Sequence, residues 1–258
     1  MTELMNELAE LGQMSLTAGF IVFLRIGAAM AVLPAFGERV IPQRVRLVMA
    51  LGFTAIVAPA VATNVVPFAE KNSVIWFALA TEVIAGLAIG IALRLFVLAL
   101  QMAGAIVAQS TSLSQILGNS GADPSPAIGQ LMLISGLALA VMLDLHVKLA
   151  EVLILSYEVL PVGGVPGGDL LTEWGVRRVA LAFGLAFTLS APFVIASLIY
   201  NVAMGVINKA MPQLMVSFVG APAISAGALI LMLLVMPILL AAWAGELTGF
   251  LANPFGAY

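Results

Sequence analysis

Between Lys209 and Glu246 the chain runs for 36 residues without a charged side chain. A straight helix over that interval is on the order of 50 Å long at 1.5 Å per residue, against roughly 30 Å for the hydrocarbon core of a bilayer. Such a run is too apolar for the surface of a soluble domain and too long for one simple membrane crossing. Gly220-Ala221-Pro222 interrupts it, and this predicts a break there, because Pro removes a helix hydrogen bond and Gly loosens the backbone beside it. The rest of the chain is of the same kind. Of 258 residues, 62% are hydrophobic and 9% charged, where soluble domains carry about 25% charged residues. The apolar residues come in long runs rather than amphipathic stripes, so lipid or other apolar protein must cover them.

Six charge-poor runs approach the length of a span: about 13–35, 47–66, 74–100, 127–148, 178–203 and 217–245. The fold class is therefore all-α, an integral-membrane-type helical protein with about six long hydrophobic helices. The connections are short, which predicts one folding unit. Residues 34–46, PAFGERVIPQRVR, read as a basic turn, and 161–169, PVGGVPGGD, as a loop that cannot continue a helix. The N-terminus carries Glu3, Glu7 and Glu10 and no Lys or Arg before the first apolar run. That is not the basic start of a cleaved signal peptide, so the first segment is expected to stay. The positive-inside rule conflicts with itself: Arg39, Arg44 and Arg46 on the cytoplasmic side leave Lys71 and Arg177-Arg178 outside.

Few residues can carry chemistry. There is no cysteine, and His146 is the only histidine. A zinc site needs three or four ligands, and a Ser/His/Asp set cannot be assembled around one interfacial histidine, so neither an enzyme nor a cofactor is expected. His146 sits among Asp144, Lys148 and Glu151. Asp144 and His146 have the chemistry to begin a proton relay; the plainer reading is a helix end at the membrane surface with Asp144 and Lys148 paired at i,i+4. With a net charge of −3 and no basic block, nucleic acid is not an expected partner.

Arg25, Glu82 and Arg94 interrupt apolar runs. An ionisable group left in lipid costs several kcal/mol by order of magnitude, so each needs a partner or a function. Glu82 and Arg94 lie twelve residues apart on one run, too far to touch along a helix; Arg25 with Glu82 across segments is the better pair. The alternatives are a functional charge or a structural pair, with head groups snorkelling to an interface. Two Gly-x-x-x-Gly pairs, Gly86 with Gly90 and Gly245 with Gly249, suit close helix approach, although 24 glycines make chance matches expected. The 13 methionines are scattered and read as core fillers.

Two polar stretches stand out. Residues 201–214, NVAMGVINKAMPQL, read as a polar hairpin tip and a contact surface for a partner, centred on Asn208, Lys209, Pro212 and Gln213. Residues 108–126, AQSTSLSQILGNSGADPSP, hold no charge before Asp123. Irregular polar backbone at membrane depth survives only inside protein or beside a wet cavity; the competing reading is an ordinary extramembrane loop.

These stretches match one family in order. FGERVIPQRVRL at 36–47, AGAIVAQSTSLSQ at 103–115, LPVGG at 160–164 and the 201–214 stretch resemble the FliR family of flagellar export-apparatus proteins, whose relatives serve virulence injectisomes. The resemblance implies a core subunit of the type III protein export gate in the bacterial inner membrane, at the flagellar basal body, which helps form and close a channel for unfolded secreted proteins. It implies FliP-type and FliQ-type partners, FlhB-type and FlhA-type membrane proteins nearby, and contact with lipid. It also implies a FliP-like part over residues 1–177 and a FliQ-like helical hairpin with a tail over 178–258. The family's closure loop falls on about 106–122. The family places Gly and Phe there and often a Glu after Ala-Gly, whereas this chain has Ala105, Leu113, Ile116 and Leu117. Leu113, Ile116 and Leu117 stand at i, i+3 and i+4, so one helical turn aims all three one way as an apolar constriction. The competing functions are a small-solute or ion secondary transporter, whose paired broken helices have only a faint counterpart at 204–222, and the injectisome version of the gate.

Overall fold

The apolar runs become helices because in lipid, or against apolar protein, every backbone amide must bond within its own segment. The structure, a computed structural model, describes residues 2–34, 41–69, 75–112, 127–164, 167–211 and 216–256. Among them are eight helices and no strand: α1 (Thr2–Val32), α2 (Gln43–Ala60), α3 (Ala62–Ala69), α4 (Ile75–Ser112), α5 (Ala127–Met142), α6 (Leu145–Val159), α7 (Gly168–Ala210) and α8 (Val216–Ala252). Parts of α1, α4, α7 and α8 are each long and apolar enough to cross a membrane, and α2 with α3 and α5 with α6 bring the number to six if each broken pair counts as one span. This is an all-α, membrane-type protein.

Several boundaries differ from those the sequence predicts. The run at 47–66 is two helices, α2 and α3, bent by 92° at Val61. The run at 127–148 is likewise broken, at Asp144, whose left-handed backbone (φ 57°, ψ 39°) ends one helix while its carbonyl starts the next. Asp144 and Lys148 do not form an ion pair, and Asp144 and His146 are exposed. By contrast α8 passes through Gly220-Ala221-Pro222 without a break. One proline removes a single ladder bond, and helices in apolar surroundings absorb that loss; α7 likewise runs on through Pro192, whereas α2 ends one residue after Pro59. The 201–214 stretch is helical as far as Ala210, so Asn201, Asn208 and Lys209 belong to α7 rather than to a turn. The basic turn also ends early, with Arg44 and Arg46 on α2, and the Pro/Gly loop ends where α7 begins at Gly168.

The contacts divide into two compact units. The first comprises Met1–Leu95, Leu143–Arg178 and Gly249–Tyr258; the second comprises Phe96–Met142 and Val179–Thr248. In the first, α1 and α4 meet backbone to backbone at Gly86 and Gly90. A Cβ at Gly86 would collide with the Arg25 carbonyl, and one at Gly90 would lie 2.7 Å from the Ala29 carbonyl oxygen. Chance therefore does not explain this Gly-x-x-x-Gly pair, whereas a Cβ at Gly245 would meet nothing. Ile21, Ile26 and Met30 of α1, Leu33 just after it and Ile89 of α4 are fully buried in this unit. At the end of α6 the Leu160-Pro161-Val162-Gly163-Gly164 motif makes a turn closed by Gly164 N–H to the Pro161 carbonyl (2.9 Å), with Gly163 at φ 70°, where a side chain would be strained.

In the second unit Trp243 of α8 is buried and donates its indole N–H to the Phe96 carbonyl at 2.9 Å. Phe193, Leu100 and Met132 complete that core. The outer faces of α7 and α8 stay apolar: Phe187, Leu198, Ile199, Leu233 and Ile238 are each more than half exposed.

Replacing Gly86 with Leu should sharply lower the amount of protein in membranes, because overpacking alone costs about 1–3 kcal/mol and here the clash is with backbone. Gly245→Leu is the matched control and should accumulate normally. Quantitative immunoblotting checks both, and equal levels of the two variants would contradict the described crossing.

Candidate functional site

A charge on an apolar helix must be satisfied by the helices it packs against, and Arg25 of α1 shows how. Its side chain is 1% exposed and that of Glu82 on α4 is fully buried. The two form a fork-to-fork pair: Nε donates to Glu82 Oε2 at 2.8 Å and Nη2 to Oε1 at 2.7 Å. This planar bidentate geometry is one that arginine offers and lysine does not. Two further donations go to the end of α6. Nη1 reaches the Ser156 hydroxyl at 2.9 Å, and Nη2 reaches the Leu160 carbonyl, one of the orphan acceptors at a helix C-terminus, at 2.7 Å.

Tyr157 closes the node. Its hydroxyl donates to Glu82 Oε2 at 3.1 Å, and its ring lies 3.6 Å from the guanidinium carbon, a cation–π contact in a dry setting. Ser156 in turn donates to the Leu153 carbonyl at 2.6 Å. Charge is neutralised, both carboxylate oxygens accept bonds, and α1, α4 and α6 are joined at one point. Arg94, lower on α4, plays a simpler part: Nη1 donates to the carbonyl of Val32, the last residue of α1, at 3.2 Å. A cation there suits the negative end of the helix dipole.

The structure thus brings together Arg25 and Glu82 and sets Arg94 at a helix end. Asn208 and Lys209 are exposed on the last turns of α7. Pro212, Gln213, Leu113, Ile116 and Leu117 lie outside the described residues. Sequence reasoning passed over Ser156, Tyr157 and the Leu160 carbonyl. The available signal was the adjacent LPVGG motif together with the one Ser-Tyr pair in the chain. A second cluster was also missed. Trp174 Nε1 and Arg178 Nη2 of α7 each donate at 3.2 Å to the carbonyl of Pro254, just past α8, and the Arg178 guanidinium lies 4.8 Å from the Phe250 ring. Among the described residues no group of His, Asp and Glu is placed to hold a metal ion.

A buried structural charge node on long apolar helices defines a multi-helix membrane protein built around fixed helix crossings. Residues 16–250 match the model of bacterial export proteins, family 1, and the chain belongs to that family. It is 35% identical over 221 residues to the flagellar biosynthetic protein FliR of Caulobacter vibrioides, covering 84% of this chain and 87% of that protein. To FliR of Escherichia coli it is 28% identical, with 84% and 83% covered, and to FliR of Bacillus subtilis 25% identical, with 86% and 87% covered. The resemblance carried by residues 36–47, 103–115, 160–164 and 201–214 is borne out.

The node predicts an order of severity. Arg25→Ala leaves a buried carboxylate without its cation and should cost about 3–5 kcal/mol. Tyr157→Phe removes one hydroxyl bond but keeps the ring against the guanidinium, and should cost about 1–2 kcal/mol. Thermal unfolding of the detergent-solubilised protein in its complex gives the ranking. A Tyr157→Phe variant as unstable as Arg25→Ala would show that the ion pair is not the dominant contact.

Proposed function

We propose that this chain is a core subunit of the flagellar type III protein export gate, set in the bacterial inner membrane at the flagellar basal body. It helps form and close the channel through which unfolded flagellar proteins are secreted. The observation that carries this reading is the family match over residues 16–250, with similarity to FliR proteins along most of both chains. The physical picture supports it. The helices expose large apolar side chains on α2, α5, α7 and α8, a surface suited to lipid and to other helical subunits, while Arg25, Glu82 and Arg94 in α1 and α4 are satisfied within the chain.

The partners in this reading are FliP-type and FliQ-type gate subunits, with FlhB-type and FlhA-type proteins alongside. In this reading residues 1–177 are a FliP-like part and 178–258 a FliQ-like hairpin with a tail, the hairpin drawing on α7 from residue 178 onward and on α8. Asn208 and Lys209 offer a polar, cationic helix end for a subunit contact, continued by Pro212 and Gln213. The closure segment at about 106–122 begins on the last turns of α4, and its sequence supplies Leu113, Ile116 and Leu117 for an apolar ring. Such a ring needs no charge to close a pore, because a narrow apolar constriction dewets.

Deleting the gene should abolish flagellar filaments and secretion of filament protein into the medium, and a tagged copy should restore both while copurifying with FliP-type and FliQ-type proteins. Secretion of filament protein at wild-type levels in the deletion strain, or recovery of the functional tagged chain without those partners, would overturn the reading.

A further inference from the structure

We propose that the groove between α1, α2 and α4 in the first unit binds an anionic membrane phospholipid, with its phosphate at the start of α2 and an acyl chain laid along α1. The groove holds about 400 Å³, within the range of small-molecule sites. It is lined by small residues of α1, Gly27 and Ala28, and by the apolar Phe23, Leu47 and Val83. Gln43 and Arg46 line it at the first turns of α2. Gln43, Arg46, Leu47 and Ala50 follow one another at i, i+3, i+4 and i+7, so one face of α2 passes from polar to apolar along about 10 Å of helix.

Charge selects the headgroup. Arg44 and Arg46 both stand at the start of α2. No acidic residue stands in the first turn of α2. The flank beside the groove is lipid-like in its exposure, with Val45, Leu47, Val48 and Leu51 all about half exposed or more. A basic end, an apolar slot and an apolar flank on one helix match the phosphodiester and acyl chain of a phospholipid; basic pockets between membrane helices take such headgroups.

The test uses the complete complex, purified through a tag on this chain, stripped of lipid and titrated with dioleoyl phosphatidylglycerol or dioleoyl phosphatidylcholine, with bound lipid counted by native mass spectrometry. Phosphatidylglycerol should bind in preference to phosphatidylcholine. The double variant Arg44→Gln, Arg46→Gln should lose roughly thirtyfold in phosphatidylglycerol affinity, at about one kcal/mol for each basic charge. Arg46→Lys should retain it. Gly27→Leu fills the slot without a backbone clash, since a Cβ there meets only the Phe23 ring at 3.8 Å, and should lose binding with the charges intact. Equal binding of the two lipids by the wild-type complex, or unchanged phosphatidylglycerol binding in Gly27→Leu, overturns the proposal. The inference rests on the membrane reading of the chain. That reading fails separately, by recovery of the chain outside the membrane fraction.

Discussion

The first unit depends on one buried ion pair. Taking Arg25 and Glu82 out of water carries a desolvation penalty of several kcal/mol per ion, which attraction offsets only if the remaining donors and acceptors are also met. Here they are met by groups from a third helix: Ser156, Tyr157 and the Leu160 carbonyl. The consequence is register. A slide of α1 past α4 by one turn would leave both charges without partners, so the pair fixes the crossing that Gly86 and Gly90 allow to be close. Apolar packing supplies attraction, whereas the ion pair makes one arrangement much better than its neighbours.

A protein built of long apolar helices needs that kind of fixity because its exterior offers little. Between membrane helices there is no hydrophobic driving force of the kind found in water, so close packing and polar contacts decide which helices associate. Three charges that interrupt the apolar runs are accordingly satisfied within the chain, at Arg25, Glu82 and Arg94, and Lys209 stands at a helix end. Its long helices present Phe, Leu and Ile outward, an exterior suited to being wrapped by other subunits and by lipid.

Much of this was legible in the sequence. Charges are so rare in the apolar runs that Arg25 and Glu82 could be paired from their positions alone, and the four quoted motifs carried the family. What stayed hidden was neutral. Ser156 and Tyr157 in a helical run look like filler, and their role appears only when α6 is brought against α1. Helix breaks were misplaced for a related reason. Proline and glycine are strong signals in water, yet α8 runs through Gly220-Ala221-Pro222, while the chain turns at Val61 and at Asp144. The residues proposed for closure, Leu113, Ile116 and Leu117, rest on sequence pattern and family likeness.

A double-mutant cycle on Arg25 and Glu82 tests the central claim most directly, with thermal stability of the purified complex as the readout. The account predicts that Arg25→Met and Glu82→Leu are each strongly destabilising alone. It predicts that the double variant recovers most of the loss, with a coupling of about 2–3 kcal/mol or more between the two positions. Additive effects of the two substitutions would contradict it, because they would mean that the arginine and the glutamate do not depend on one another.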